Sequence, residues 1–257
     1  MNYLIGNSGL VGKNLLKHQQ FDATFNSSNI KDFSSVFVDG GSVVLSCLPA
    51  TKWQINQNKL KDLQNINNII NTLAQCAFNN IVLISTIDVY LDSPLGVDES
   101  HDPTINTLHY GSHRLLFEKM VRDLLNYKSL HVFRLPALFG DHLKKNVLFD
   151  LLNDNNVNKI NLNTYYQWYD LGRLHDDIMH YVSNHHGGTF NLFTQPIYTA
   201  DVVDAFFASA NAGYHGNLVQ YDWKTQHHAS GYIQCGVQVM QDIEKFIYET
   251  RNKPSSL

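Results

Sequence analysis

The sequence predicts an α/β chain, a doubly wound parallel sheet followed by a small C-terminal lobe. Three observations predict it. Apolar runs of strand length at Tyr3–Ile5, Ser42–Leu48 and Ile81–Ile84 alternate with stretches of helical period. A turn carrying Gly6, Gly9 and Gly12 follows the first run directly. After Gly140 the regular alternation loosens. A chain of 257 residues is long enough to bury one sizeable core and carry an appended lobe.

The elements follow in order. Tyr3-Leu4-Ile5 reads as a buried strand, and a helix runs through Leu15 and Leu16 after the glycine turn. The spacing is G-x-x-G-x-x-G over Gly6, Asn7, Ser8, Gly9, Leu10, Val11 and Gly12. Gly6 permits the tight strand-to-helix turn, Gly9 lets the backbone approach a pyrophosphate, and Gly12 allows helix and strand to pack closely. The helix N-terminus then offers free N–H groups and its dipole to the phosphates. Directly after an N-terminal strand, this is the pattern of a Rossmann-like dinucleotide site. Phe21–Phe25 is expected as the second strand, ending in Asn26-Ser27-Ser28-Asn29. A carboxylate for the ribose 2′-hydroxyl of NAD is missing there, and Lys31 is near. A loop that accepts the 2′-phosphate of NADP and a plain polar turn both fit, with NADP mildly preferred over NAD.

Ser42–Leu48 is the next strand, with Cys47, Leu48 and Pro49 at its end, and Lys52 stands in the following loop within reach of a phosphate or of solvent. Leu60 to Ala77 carries apolar residues at helical period. Ile81–Ile84 is a buried strand with Ser85-Thr86 at its end, and Tyr110-Gly-Ser-His-Arg114 opens a further helix. The i to i+4 spacing puts Tyr110 and Arg114 on one helical face. A neighbouring cation favours the phenolate and so lowers a tyrosine pKa, which suits acid/base work. Thr86 is placed to hydrogen-bond a substrate oxygen. His131–Pro136 is expected as the sixth strand, Lys144 leads a helical stretch through Leu148, Leu151 and Leu152, Phe190–Phe193 is a strand, Thr199 caps a helix, and Gly236–Arg251 forms the last one.

The net charge of −4 argues against nucleic acid or an anionic membrane as a partner, and no apolar run approaches the roughly 18 residues of a membrane span. Cys47, Cys76 and Cys235 are scattered, as reduced thiols would be, and Met1-Asn2-Tyr3 leads straight into a strand, so no secretory leader and a cytoplasmic setting are expected. His175, His180, His185, His186, His227 and His228 lack the spacing of a metal site, and no metal is expected.

Thr86, Tyr110 and Arg114, with the glycine turn, resemble the site of the short-chain dehydrogenase/reductase superfamily, which uses Ser/Thr, Tyr and Lys in a Tyr-x-x-x-Lys motif. Its extended branch, the NAD-dependent epimerase/dehydratase group, is the best match. There a Ser-Ser/Thr-x-x-Val-Tyr segment precedes the tyrosine helix, as Ser85-Thr86-Ile87-Asp88-Val89-Tyr90 does here. Arg134-Leu-Pro-Ala-Leu-Phe-Gly140 and Gln167-Trp-Tyr-Asp-Leu-Gly-Arg173 resemble further segments of that branch. One departure stands out: the family has Lys where this chain has Arg114.

The resemblance implies an NAD(P)-dependent oxidoreductase or epimerase acting on a nucleotide-activated sugar. Thr86, Tyr110 and Arg114 would be its catalytic residues. The glycine turn, Asn26, Ser27, Ser28, Cys47, Leu48, Pro49, Tyr110, Arg114, Leu135 and Pro136 would line the dinucleotide, with Arg114 on the nicotinamide ribose. Asp88, Lys52, Asn146, Gln167 and Arg173 would face the substrate. It also implies a homodimer, a dinucleotide-binding domain over residues 1–140 to which about 170–200 return, and a small substrate-binding lobe over most of 141–257. Ile87, standing where dehydratases of this group place an acid, weakens that reaction. The competing reading is a dinucleotide-binding regulatory protein weakened in catalysis, for which Arg114 is the best support.

Overall fold

The computed structural model describes residues 1–104, 110–208 and 212–253. Its first part alternates strands and helices: β1 (Asn2–Ile5), α1 (Leu10–His18), β2 (Ala23–Phe25), α2 (Phe33–Val36), β3 (Ser42–Leu45), α3 (Lys52–Gln57), α4 (Lys59–Leu73), β4 (Ala77–Thr86), α5 (Tyr110–Leu124) and β5 (Asn126–Leu135). Then follow β6 (Ala137–Phe139), α6 (Val147–Leu152), β7 (Thr164–Tyr166), β8 (Trp168–Asp170), α7 (Leu174–Asn184), β9 (Gly188–Asn191), β10 (Ile197–Tyr198), α8 (Thr199–Phe206), β11 (Val219–Gln220) and α9 (Gly236–Arg251).

The main sheet is six-stranded and parallel, in the order β2-β1-β3-β4-β5-β9. Side chains alternate across it with the strand period. Tyr3, Ile5, Leu45, Ile81 and Leu83 face a core closed by Ile66, Ile69, Ile70 and Leu73 of α4 and Phe117 and Val121 of α5. Leu4, Val82, Phe133 and Leu135 face the other core, closed by Leu15 of α1 and Ile178 and Tyr181 of α7. Each such side chain contributes about 1.5–3 kcal/mol of burial. A third core, around Leu148, Trp168, Val202 and Ile243, joins α6, α8 and α9 to the two smaller sheets, β10-β7-β11 and β6-β8. Among the described residues no helix is long and apolar enough to cross a membrane.

Several boundaries differ from the sequence expectations. The second strand is only Ala23–Phe25. The helix expected to Ala77 ends at Leu73, because Ala77 already pairs with Asn126 of β5 and opens a ten-residue strand. The segment ending at Leu135 is the fifth strand of the sheet in chain order, and β9 is the sixth. β9 covers 188–191 instead of 190–193, since Leu192 and Phe193 turn into cores. Lys144 precedes α6, which starts at Val147. Thr199 is the first residue of α8 and not its cap, because its hydroxyl donates to the Thr164 carbonyl. Lys52 opens α3 instead of lying in a loop.

Candidate active site

The glycine turn lies where the carboxyl ends of the parallel strands gather. Gly6 adopts φ +109, open to glycine but strained for other residues, and a Cβ there would strike the backbone of Ser46 after β3. A Cβ on Gly12 would strike the Gly6 carbonyl, so this glycine sets the close approach of α1 to β1. Gly9 is different: an added Cβ would meet only the Gly6 carbonyl oxygen, at an ordinary 3.5 Å. The turn is therefore a cradle open at Gly9, and the first N–H groups of α1, those of Leu10, Val11 and Gly12 among them, have no intrahelical partner. A dinucleotide pyrophosphate fits that cradle.

Beside it, Asn7 donates to Thr24 Oγ1 at 2.8 Å and accepts from Asn26 Nδ2 at 3.1 Å. Asn26 in turn accepts from the Ser28 N–H and hydroxyl at 2.9 and 2.6 Å. These bonds fix the loop after β2 as an Asx turn. Ser27 and Ser28 are exposed at its tip.

β4 ends at Thr86, whose hydroxyl accepts from the Asp88 N–H at 3.3 Å and donates to Asp88 Oδ2 at 3.3 Å. Asp88 is 1 % exposed, and its carboxylate holds Lys52 Nζ at 2.6 and 2.8 Å. Lys52 Nζ stands 5.8 Å from the Tyr110 ring centroid and 6.0 Å from that of Tyr221. Arg114 also lies over the Tyr110 ring, its guanidinium carbon 4.5 Å from the centroid. Thr86, Asp88, Lys52, Tyr110 and Arg114 thus form one unbroken set of contacts. The start of α5 is pinned by Asn56 of α3, which accepts from the Tyr110 N–H at 2.9 Å and so ties the helix bearing Lys52 to the helix bearing Tyr110.

The electrostatics differ from the simple expectation at Tyr110. Burial raises its pKa above the ordinary tyrosine value; Arg114 pulls it down, Asp88 pushes it up and Lys52 pulls it down again, with burial winning. The lowering expected from the neighbouring cation is present but outweighed. Burial likewise raises Tyr221 and Tyr166, whose rings stack at 5.4 Å on the lobe side of Lys52. Burial opposes the charge of Lys52, but Asp88, Tyr221 and Tyr110 outweigh it and hold the ammonium pKa above the lysine norm. Lys145 donates to the Ala50 carbonyl at 2.6 Å, and burial with the Lys52 charge lowers its pKa.

Arg114 is less available than the sequence suggested. Asp62 takes its Nη1 at 3.0 Å and Nη2 at 3.3 Å, and the Pro49 carbonyl takes Nη2 at 2.7 Å. His113 shares Asp62, Nδ1 to Oδ2 at 2.8 Å. Pro49 is thereby drawn to Arg114, while Cys47 and Leu48 pack against the α4–α5 core. One turn further along α5, Glu118 accepts from Arg134 Nε at 3.1 Å and Nη2 at 2.7 Å and from the Ser85 hydroxyl, clamping the ends of β4 and β5 beneath the site.

Five other expected contact residues are engaged or buried within the protein. Gln167 is fully buried; its amide nitrogen donates to the Thr194 and Trp223 carbonyls at 2.7 and 2.8 Å, and its oxygen accepts from the Trp223 N–H, so it is corrected from ligand contact to interior link. Arg173 precedes α7 on the face of the sheet opposite α5, beside Asp177 at 3.6 Å, and this separates it from Tyr110. Asn146 caps α6, accepting from the Phe149 N–H at 3.0 Å and donating to the Leu138 carbonyl at 2.8 Å. Leu135 is a core residue, and Pro136 after it is buried. Sequence reasoning missed Asp62, Tyr166 and Tyr221. Asp62 sits amid a helical pattern, and nothing local marks it as the partner of a residue 52 positions away.

No family model matches the chain, and no curated protein sequence is significantly similar to it. Its fold is nevertheless that of solved nucleotide-sugar enzymes. MoeE5 in complex with UDP-glucuronic acid and NAD superposes with a TM-score of 0.74 at 13% identity, covering 98% of this chain and 99% of that one. TunA, an NAD-dependent NDP-hexosamine 5,6-dehydratase of tunicamycin biosynthesis, gives 0.76 at 13% identity over 98% of both chains. The dTDP-4-dehydrorhamnose reductase of Bacillus anthracis in complex with NADP gives 0.69 at 16% identity over 96% of this chain and 98% of that one. The chain shares the α/β fold of these enzymes.

Proposed function

We propose that this chain is an NAD(P)-dependent oxidoreductase or epimerase of the extended short-chain dehydrogenase/reductase type, acting on a nucleotide-activated sugar or a related hydroxyl or keto compound. The observation that carries the reading is the contact set from Thr86 through Asp88 and Lys52 to Tyr110, at the strand ends beside the glycine cradle. Ligands of open α/β sheets bind at that edge. Among solved enzymes of the same fold, MoeE5 holds NAD with UDP-glucuronic acid, and a dTDP-4-dehydrorhamnose reductase holds NADP, which supports the substrate class.

The dinucleotide, held by the glycine turn and by the loops after β2 and β3, supplies the hydride donor or acceptor. Tyr110 moves the proton of the reacting hydroxyl, and Thr86 holds the same oxygen by a hydrogen bond. Arg114 stabilises the phenolate through its charge and orients the ring it lies against. NADP is mildly preferred, because no carboxylate stands at Asn26-Ser27-Ser28. Residues 1–140 with about 170–200 form the dinucleotide-binding domain, the rest of 141–257 the substrate lobe, and the chain works as a homodimer.

The test is turnover of UDP- and dTDP-sugars with either dinucleotide, followed by nicotinamide absorbance and by chromatography of the sugar products. Product formation supports the enzyme. Tight dinucleotide binding with no product from any sugar supports the second reading, a regulatory dinucleotide-binding protein. The observation favouring that second reading is the engagement of the Arg114 fork by Asp62 and Pro49.

A further inference from the structure

Two cations lie within 6 Å of the Tyr110 ring centroid, Lys52 at 5.8 Å and Arg114 at 4.5 Å, and each has its own carboxylate. Arg114, from α5 itself, is held in a bidentate pair by Asp62, a residue of α4 that is 6 % exposed. Lys52 comes from α3 and is held by Asp88 of the turn after β4. The two pairs are not alike. The Arg114 pair is sealed, with both partners buried. The Lys52 pair is sealed only on the Asp88 side, since the Lys52 side chain keeps 54% of its exposure while Asp88 keeps 1%. Exposed ion pairs are ordinarily worth little, because two long side chains must be ordered against screening water. Here the anion is buried and shared with Thr86, and α3 is tied to α5 through Asn56, so the ammonium has a defined place over the ring.

We propose that Lys52 is a positioning residue for Tyr110, supplying from α3 the lysine charge that the Tyr110 helix lacks at Arg114, and that Asp88 opposes it, so that the pair sets the charge state of the phenol. This rests on the reading of Tyr110 as the acid/base group. Among the described residues, the charged and titratable groups around Tyr110 are Arg114 on its own helix, Asp62 and His113 behind Arg114, Lys52 on α3, Asp88 after β4, Tyr221 and Tyr166 from the lobe, and Lys145 beside α3. Of these, Lys52 and Asp88 act on the phenolate with opposite signs. A cation favours it and an anion opposes it, and neutralising each must move Tyr110 in opposite directions. A pair whose charges did not reach the ring would give no such opposition.

The experiment is a pH titration of Tyr110 by carbon NMR in the full chain labelled at tyrosine Cζ, with Tyr110→Phe identifying the resonance. Neither substrate nor dinucleotide is needed, so a wrong substrate class leaves this test standing. Lys52→Met is expected to raise the Tyr110 midpoint by about one pH unit, Asp88→Asn to lower it, and Lys52→Arg to follow the parent. Lys52 is half exposed, so its variants fold even where Asp88→Asn does not, and Lys52→Met against Lys52→Arg then decides alone. If the parent unfolds before the midpoint is reached, the rising limb of the pH–rate profile, where activity appears as the phenolate forms, must show the same order. Midpoints that stay still, or that move together for Lys52→Met and Asp88→Asn, overturn the proposal.

Discussion

Asp62 grips both terminal nitrogens of Arg114, at 3.0 and 3.3 Å, from a helix 52 residues earlier in the chain. The pair explains how arginine is tolerated beside Tyr110. The guanidinium stays charged, lies against the ring, and is kept from wandering by a buried carboxylate and the Pro49 carbonyl.

Arg114→Met therefore leaves Asp62 as a buried charge whose remaining hydrogen-bond partner is the His113 ring. Breaking such a pair costs about 3–5 kcal/mol, and His113 keeps the loss near the lower end. Urea unfolding measures it, and Asp62→Asn added to Arg114→Met is expected to recover most of it. The same substitution removes a charge that pulls the Tyr110 pKa down. Burial already holds that pKa high, so the phenolate forms at still higher pH and the pH at which activity appears rises. Arg114→Lys keeps the charge and is expected to keep substantial activity. An unchanged pH–rate profile in Arg114→Met contradicts this.

The glycine turn gives a second prediction, because its members are built differently. Gly12→Ala forces α1 away from Gly6 and is expected to lower both the melting temperature and dinucleotide affinity. Gly9→Ala meets nothing tighter than 3.5 Å, so the melting temperature of the unliganded protein stays close to the parent's while affinity falls at least about tenfold, roughly 1.4 kcal/mol. Thermal unfolding and titration calorimetry separate the two. Equal affinity in Gly9→Ala and parent removes the pyrophosphate from this turn.

Cofactor choice follows from the loop after β2. Asn26 is occupied with Ser28 and Asn7, and the exposed Ser27 and Ser28 leave no carboxylate to repel a 2′-phosphate. Calorimetry with both dinucleotides is expected to show NADP bound somewhat more tightly. NAD binding at least about tenfold tighter, roughly 1.4 kcal/mol, contradicts it.

What the sequence made legible was local. The strand Tyr3–Ile5, the glycine turn, the helical face shared by Tyr110 and Arg114, and α9 from Gly236 to Arg251 all follow from neighbours within a turn or two. The pairs Arg114–Asp62, Lys52–Asp88 and Arg134–Glu118 did not, because they are made by the packing of separate elements against one another and carry no spacing. Gln167 misled for the same reason. A polar residue in an aromatic run suggests a ligand contact, yet its partners are backbone groups of Thr194 and Trp223 that only the lobe brings near. The sign of the Tyr110 shift was illegible too, since the cation can be read from spacing and the burial cannot.

The central claim is that Tyr110 moves a proton while hydride passes between a sugar carbon and the nicotinamide. Its most direct test follows a deuterium label between the nicotinamide C4 and the sugar, using mass spectrometry of both, in the parent and in Tyr110→Phe. The account predicts label transfer in the parent, a loss of about 10²- to 10⁴-fold in rate for Tyr110→Phe, and nearly unchanged dinucleotide affinity in that variant. Label transfer at the parent's rate in Tyr110→Phe, or none in the parent with any nucleotide sugar despite bound dinucleotide, contradicts it.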